Sequence, residues 1–345
     1  YISSPLSLMH IAYSLMGRKL PDFNSRWNYR YVEKDREEVY NHVPIQLFPF
    51  TNQSIFNSYM IYDKYNFNFS KSSRQIKGLG FSKSDLVIQD SLKLNFCRDY
   101  LSPKKWIYRA TDLYSEMPNA PNGIHDAEKQ VVGYSDHIFA TSEPLKKYLE
   151  EKYDANVNVL RNGVNFSKFN KPQIKPKEYE NFKGNICVYV GSMDDRFDHK
   201  LIKKLAAEIQ GLNIVLIGPT GKELYDGFGN IICTGEIPND NLPPYLQHAD
   251  VGLLPFKMIS ANHNRSPMKI YEYGASGLPV VSKRLDEIER RDSKFVYLAD
   301  SDQEFIELVN TALNSKEKVI KDAIIESKQY SWDLIAQKFL NIIDL

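Results

Sequence analysis

The chain is poor in cysteine. Cys97, Cys187 and Cys233 lie far apart, form no Cys-x-x-Cys pair and are odd in number. That excludes a disulfide-stapled secreted scaffold and a thiolate metal site of the usual spacing. Cys187 and Cys233 stand in apolar, strand-like runs, as buried thiols do, so a reducing cytoplasm is the expected compartment. Long apolar runs are also missing. None approaches the roughly 18 residues needed to cross a bilayer. No signal-peptide pattern opens the chain, although Tyr1 rather than Met stands first. Nor is there an excess of one charge: 44 Lys and Arg against 43 Asp and Glu leave +1, too little for the field that nucleic-acid binding uses. Carboxylates are not clustered either. Asp194 and Asp195 are adjacent rather than spaced, so no catalytic divalent metal and no cofactor is expected.

What is present suits a soluble globular α/β protein. A length of 345 residues is too long for one ordinary core, and fits two domains of roughly 150 to 180 residues. Strand-like segments at 43–49, 85–89, 105–109, 137–141 and 157–160 alternate with helix-like ones. Among these, 142–152 opens with Ser142 as a cap and Pro144 in the first turn. Residues 171–182 are polar, carry two prolines and read as a linker. A second alternating set follows, with strands at 185–190, 213–217, 230–233, 250–254, 278–282 and 295–298 and helices at 200–209 and 266–275. Alternation of this kind predicts parallel sheets covered by helices. The expected division is 1–170, a linker at 171–182 and 183–330. The final helix, 331–345, carries a Ser cap and an apolar stripe.

The stretch from Ser266 to Val281 carries the most chemistry. Ser266, Met268, Lys269 and Glu272 fall on the first turns of a predicted helix that ends at a glycine turn. A helix start with a cation suits a diphosphate. A carboxylate three residues on can accept two hydroxyl hydrogen bonds from a ribose. The same residues would also serve as the solvated face of an amphipathic helix. Earlier, Gly191, Ser192 and Met193 end the first strand of the second domain, where open α/β sheets bind ligands. In the first domain, Asp112 ends a strand, placed either to act as a base or to cap the next helix.

These segments resemble the donor site of GT-B glycosyltransferases, two-Rossmann-domain enzymes with parallel sheets facing a cleft. Within them, the order of Gly191-Ser192-Met193, Ala249-Asp250-x-Gly-Leu-x-Pro-Phe256 and Ser266-x-Met268-Lys269 resembles the bacterial glucuronosyltransferases of the xanthan GumK group. The segments Ser3–His10, Trp27 and Pro44–Pro49 look like their N-terminal domain. The resemblance implies Asp112 as general base and Met193 and Phe256 beside the nucleotide. It places Ser266, Met268 and Lys269 around diphosphate and sugar, Glu236 near the donor, and the last helix back on the first domain. It further implies a UDP-sugar donor and a lipid-linked glycan acceptor at the inner face of the plasma membrane. Basic and aromatic residues including Arg18, Lys19, Arg26, Trp27, Tyr29, Arg30 and Tyr31 could meet that surface, or be ordinary solvated positions. Two departures stand out: Phe256 replaces a family Tyr, and Glu272 replaces the xanthan enzyme's Gln. Many retaining GT-B enzymes carry two Glu separated by seven intervening residues. The position so spaced before Glu272 is Asn264, which favours inversion by direct displacement. The expected activity is an inverting, metal-independent transfer, with glucuronic acid the leading sugar. A neutral-sugar transferase or a non-catalytic nucleotide-sugar-binding subunit is the alternative.

Overall fold

The computed structural model describes residues 80–345 except 118, 119 and 220, together with residues 2, 6–7, 33–36, 39–41, 45–46, 50–52, 57–60, 76 and 78. Trp27, the basic and aromatic group from Arg18 to Tyr31 and most of the two N-terminal motif segments lie outside the described residues. Four short strands come first. β1 (Leu6–Ser7) pairs in parallel with β4 (Ile45–Gln46), and β2 (Glu33–Arg36) pairs antiparallel with β3 (Val39–Asn41).

Two compact units follow from the contacts: Tyr1–Ala140 with Leu145–Val159, and Thr141–Pro144 with Leu160–Leu345. In the first, β5 (Leu86–Gln89), β6 (Lys105–Ala110), β7 (His137–Ala140) and β8 (Val157–Val159) form a parallel sheet in chain order. Helices α1 (Ile124–Tyr134) and α2 (Glu143–Tyr153) follow β6 and β7. Tyr108, Ala127, Val131, Leu145 and Leu149 share its core. One carboxylate is buried with them. Glu128 accepts hydrogen bonds from the phenols of Tyr108 at 2.9 Å and of Tyr148 and Tyr153 at 3.0 Å, which offsets its desolvation. Burial and that carboxylate push the Tyr148 phenol up to about 12.

The second unit holds six parallel strands: β9 (Ile186–Val190), β10 (Asn213–Ile217), β11 (Ile231–Gly235), β12 (Val251–Leu254), β13 (Val280–Lys283) and β14 (Val296–Ala299). Their spatial order is β11-β10-β9-β12-β13-β14. The chain therefore winds one way from β9 to β11 and then the other way from β12 onward. Near-continuous runs such as Ile-Cys-Val-Tyr-Val in β9 are buried at every position, as a sheet covered on both faces requires. The covering and connecting helices are α3 (Phe166–Asn170), α4 (His199–Glu208), α5 (Pro243–Gln247), α6 (Ser260–His263), α7 (Lys269–Ala275), α8 (Asp286–Glu289), α9 (Asp302–Lys328) and α10 (Trp332–Ile342). Asp198 caps α4 by accepting the N–H groups of Lys200 and Leu201, both at 3.0 Å. Leu201, Ile202, Leu205 and Ala206 then form its buried stripe.

One local expectation differs from the structure. Residues 171–182 are seated rather than extended between domains. The Gln173 N–H donates to Gln247 Oε1 at 3.0 Å, and Tyr179 is fully buried with its hydroxyl on the Tyr245 carbonyl. The apolar ring of Tyr179 anchors a stretch whose average composition is polar, and the division between units falls near residue 160 instead. The Ser142 hydroxyl donates to the Asn264 carbonyl at 2.6 Å. In the terminal helix α10, which belongs to the second unit, the Trp332 N–H donates to the Val164 carbonyl at 3.1 Å.

Candidate active site

In an open parallel sheet, the place where strand order reverses leaves a crevice beyond the strand ends. Here that place lies between β9 and β12. A cavity of about 540 Å³ opens at the adjacent strand ends. Val190, Gly191 and Ser192 line it after β9, Ile217, Gly218 and Pro219 after β10, and Glu236 to Asn239 after β11, with Leu242 and Lys269 completing the wall.

Two glycines make the turns close enough. Gly191 has φ 155° and Gly218 has φ 143°, in the region that favours glycine. A Cβ on Gly218 would sit 2.1 Å from the Gly191 carbonyl oxygen, and one on Gly191 would sit 2.8 Å from the Tyr189 hydroxyl. The turns are tied across the sheet: the Gly191 N–H donates to Ile217 O, and the Gly218 N–H to Gly235 O, both at 2.9 Å. The rest of the first turn is braced from behind. His199 Nε2 meets the Met193 carbonyl at 3.2 Å, so it carries the proton, while Nδ1 accepts from the Tyr225 hydroxyl at 2.7 Å. Asp194 takes two hydrogen bonds from the Arg196 guanidinium, at 3.0 and 2.6 Å, which hold its carboxyl below the usual carboxylate range.

The charged groups at the wall are Glu236, after β11, and Lys269 of α7. Lys269, its first residue, pairs with Glu272 at 2.7 Å across one helical turn. Glu272 is buried, and its other oxygen accepts from Asn239 Nδ2 at 3.3 Å. The site thus presents a carboxylate held between an amine and an amide, both of which line the cavity. That arrangement can accept sugar hydroxyls while Lys269 faces negative charge.

The structure brings together Gly191, Ser192, Glu236, Lys269 and, behind them, Glu272. It places other expected residues elsewhere. Met193 and Phe256 are buried in the apolar core instead of the cavity wall, with the Phe256 ring against Tyr189 and the Arg265 guanidinium 5.9 Å above it. Met268 is 44% exposed and does not line the cavity. Ser266 is buried, its hydroxyl accepting from Arg291 Nη2 and its carbonyl from Asn162 Nδ2, each at 2.8 Å. Asp112 follows the end of β6 in the first unit. The reading of the sequence missed Gly218-Pro219 and Asn239. A second Gly directly after a strand, matching Gly191, was the available signal for the former. Nothing local marks Asn239. Among the described residues no group of His, Cys, Asp and Glu could hold a metal ion.

Comparison with known proteins places this site in context. Residues 184–315 match the family model of glycosyl transferases group 1, and that span contains every residue of the cavity. TuaH of Bacillus subtilis (strain 168), whose name assigns it to teichuronic acid biosynthesis as a glycosyltransferase, is 26% identical over 185 residues, covering 50% of this chain and 47% of TuaH. The match thus spans about half the length of that curated relative. Among solved structures, HepE of Anabaena in complex with UDP and glucose superposes with a TM-score of 0.63 at 15% identity, over 88% of this chain and 86% of HepE. Sucrose-phosphate synthase from Thermosynechococcus elongatus does so with a TM-score of 0.67 at 13% identity, over 91% and 84%. At such identities the likeness is one of fold. The chain has the GT-B glycosyltransferase fold, and residues 184–315 of its second unit are similar to the glycosyl transferases group 1.

Proposed function

We propose that the protein is a glycosyltransferase that moves a sugar from a UDP-sugar to a lipid-linked glycan in bacterial polysaccharide synthesis. The observation that carries the reading is the cavity at the β9/β12 reversal, with Glu272 held between Lys269 and Asn239 at its wall. HepE, solved with UDP and glucose, shares the fold, and the name of TuaH refers to a polysaccharide pathway.

Transfer proceeds by inversion, without metal. The Asp112 carboxylate takes the proton of an acceptor hydroxyl as its oxygen attacks C1 of the sugar. The bond from C1 to the diphosphate oxygen breaks, and the diphosphate leaves with its electron pair. Lys269 stabilises the charge that develops on it. Asn264, where a second Glu would stand in many retaining enzymes, supports this stereochemistry. The acceptor's lipid would keep it at the inner face of the plasma membrane. No helix among the described residues is long and apolar enough to cross a membrane, so the reading is of contact with that surface.

Glucuronic acid remains the donor sugar suggested by the likeness to the xanthan group. One observation favours a neutral sugar instead. Lys269 is already paired with Glu272 at 2.7 Å, and Glu236 adds an exposed carboxylate to the same cavity. A second anionic group on the donor would find little positive charge left there.

The test is Asp112→Asn, assayed by UDP release with extracted lipid acceptor. A general base supplies a factor of about 10² to 10⁴, so transfer should fall by at least about a hundredfold while UDP affinity holds. Unchanged transfer would remove Asp112 from the chemistry. Loss of UDP binding with it would make Asp112 structural.

A further inference from the structure

The segment that leads into α7 is held in place by side chains from outside it. Residues 265–267 belong to no helix or strand, and Pro267 has no N–H to offer. Three donors reach in. Ser142 Oγ donates to the Asn264 carbonyl at 2.6 Å, Asn162 Nδ2 to the Ser266 carbonyl at 2.8 Å, and Arg291 Nη2 to the Ser266 hydroxyl at 2.8 Å. All are sheltered from water: Ser142 is fully buried, Asn162 is buried, and the Arg291 side chain is 1% exposed.

These donors are themselves fixed by one buried carboxylate. Glu287 Oε1 accepts from Arg161 Nε at 2.7 Å and lies 3.6 Å from Arg291 Nε, while Oε2 accepts the Glu143 N–H at 3.0 Å. The Arg291 guanidinium also lies 4.5 Å above the Tyr271 ring. Among the described residues its Nε and Nη1 have no hydrogen-bond partner; Glu287 balances its charge, and its Nη2 donates to Ser266. Ser142, Glu143, Arg161 and Asn162 belong to the short stretches by which the chain passes into the second unit, at 141–144 and from 160 onward. Both stretches end on the same loop and the same carboxylate.

We propose that Ser142, Asn162 and Arg291 are positioning residues for the donor site. They orient residues 264–266, and through the stiff Pro267 they set where Lys269 stands at the cavity wall and Glu272 behind it. They do not touch the donor. Ser266 acts in the same way, since its hydroxyl and carbonyl are both engaged inward, away from a ligand role. The inference rests on the donor reading given above, and it assigns a function to a buried polar cluster that the transfer chemistry does not use.

The test uses the full chain with Ser142→Ala, Asn162→Ala and Arg291→Lys, the last keeping the charge but losing the fork of donors. Amide hydrogen exchange of the unliganded protein is followed at 264–269 and, as a control, at 186–190 in the buried strand β9. UDP affinity is measured alongside by calorimetry. Loss of one such hydrogen bond should raise exchange at 264–269 and the UDP dissociation constant about fivefold, with exchange at 186–190 unchanged. Equal acceleration in both segments would show general loosening and overturn the positioning role. So would localised exchange with UDP affinity unaltered. Localised exchange in a parent protein that does not bind UDP would instead overturn the donor reading, and with it the proposal's target.

Discussion

At the scale of single residues, the cavity depends on positions where no side chain can be added. Gly218→Ala would place a methyl group 2.1 Å from the Gly191 carbonyl oxygen at φ 143°. Clash and backbone strain together should cost about 2–4 kcal/mol, read as a lowered urea midpoint, with UDP binding weakened further. Asp194, on the neighbouring turn, sets a pH dependence. Arg196 lowers its pKa in the folded state, so its contribution is complete above the ordinary aspartate value of about 3.9 and is lost as pH falls through the lower folded value. Asp194→Asn should therefore melt below the parent at neutral pH and converge with it in acid. A constant gap at all pH values would show that the pair contributes nothing through ionisation. Sequence alone singled out Gly191 and Ser192 at a strand end and Lys269 and Glu272 at helical spacing, and the resemblance added Glu236; all but the buried Glu272 line one cavity. It misplaced Met193, Phe256 and Ser266. Whether a side chain at a turn faces the ligand or the core depends on rotamers and distant partners, such as Arg291 twenty-five residues beyond Ser266.

At the scale of elements, helix α7 is placed by its packing on α9. A Cβ at Gly274 would fall 2.0 Å from Ser327 Oγ of α9 and 2.7 Å from Phe295 Cζ. Gly274→Ala should push α7 away from α9, costing about 1–3 kcal/mol, and should lower UDP affinity by shifting Lys269. Among the described residues no atom lies within 4 Å of such a Cβ on Gly133, near the end of α1, so Gly133→Ala should be stable or gain about 0.5–1 kcal/mol. Thermal melts of the pair separate crowding from simple helix propensity. The strands of the second unit were legible almost to the residue, because apolar runs bounded by polar turns leave a buried parallel strand little freedom. The start of α7 was not. The expected helix began at Ser266, whereas the structure starts it at Lys269, after Pro267 and the side-chain bonds that bind Ser266. The long α9 was missed too, and it is the element that fixes α7.

At the scale of the whole molecule, alternating strand and helix segments announced two parallel-sheet units, and both are present. The boundary was less legible. Residues 171–182 look like a linker by composition, yet Tyr179 packs them into the second unit. A single buried ring outweighs the average polarity of its neighbours. The reversal of strand order between β9 and β12 had no local signature, because it depends on which strands pair and not on what each contains. It is the feature that turns a list of strand-end residues into one cavity. The measurement that bears most directly on that cavity is a metal-free thermal-unfolding titration with UDP, UDP-glucose and UDP-glucuronate. Ligand at about a hundred times its dissociation constant should stabilise the fold by roughly 2.7 kcal/mol. The account predicts a saturable rise in midpoint with UDP and with at least one of the two sugars. No shift with any of the three would contradict it.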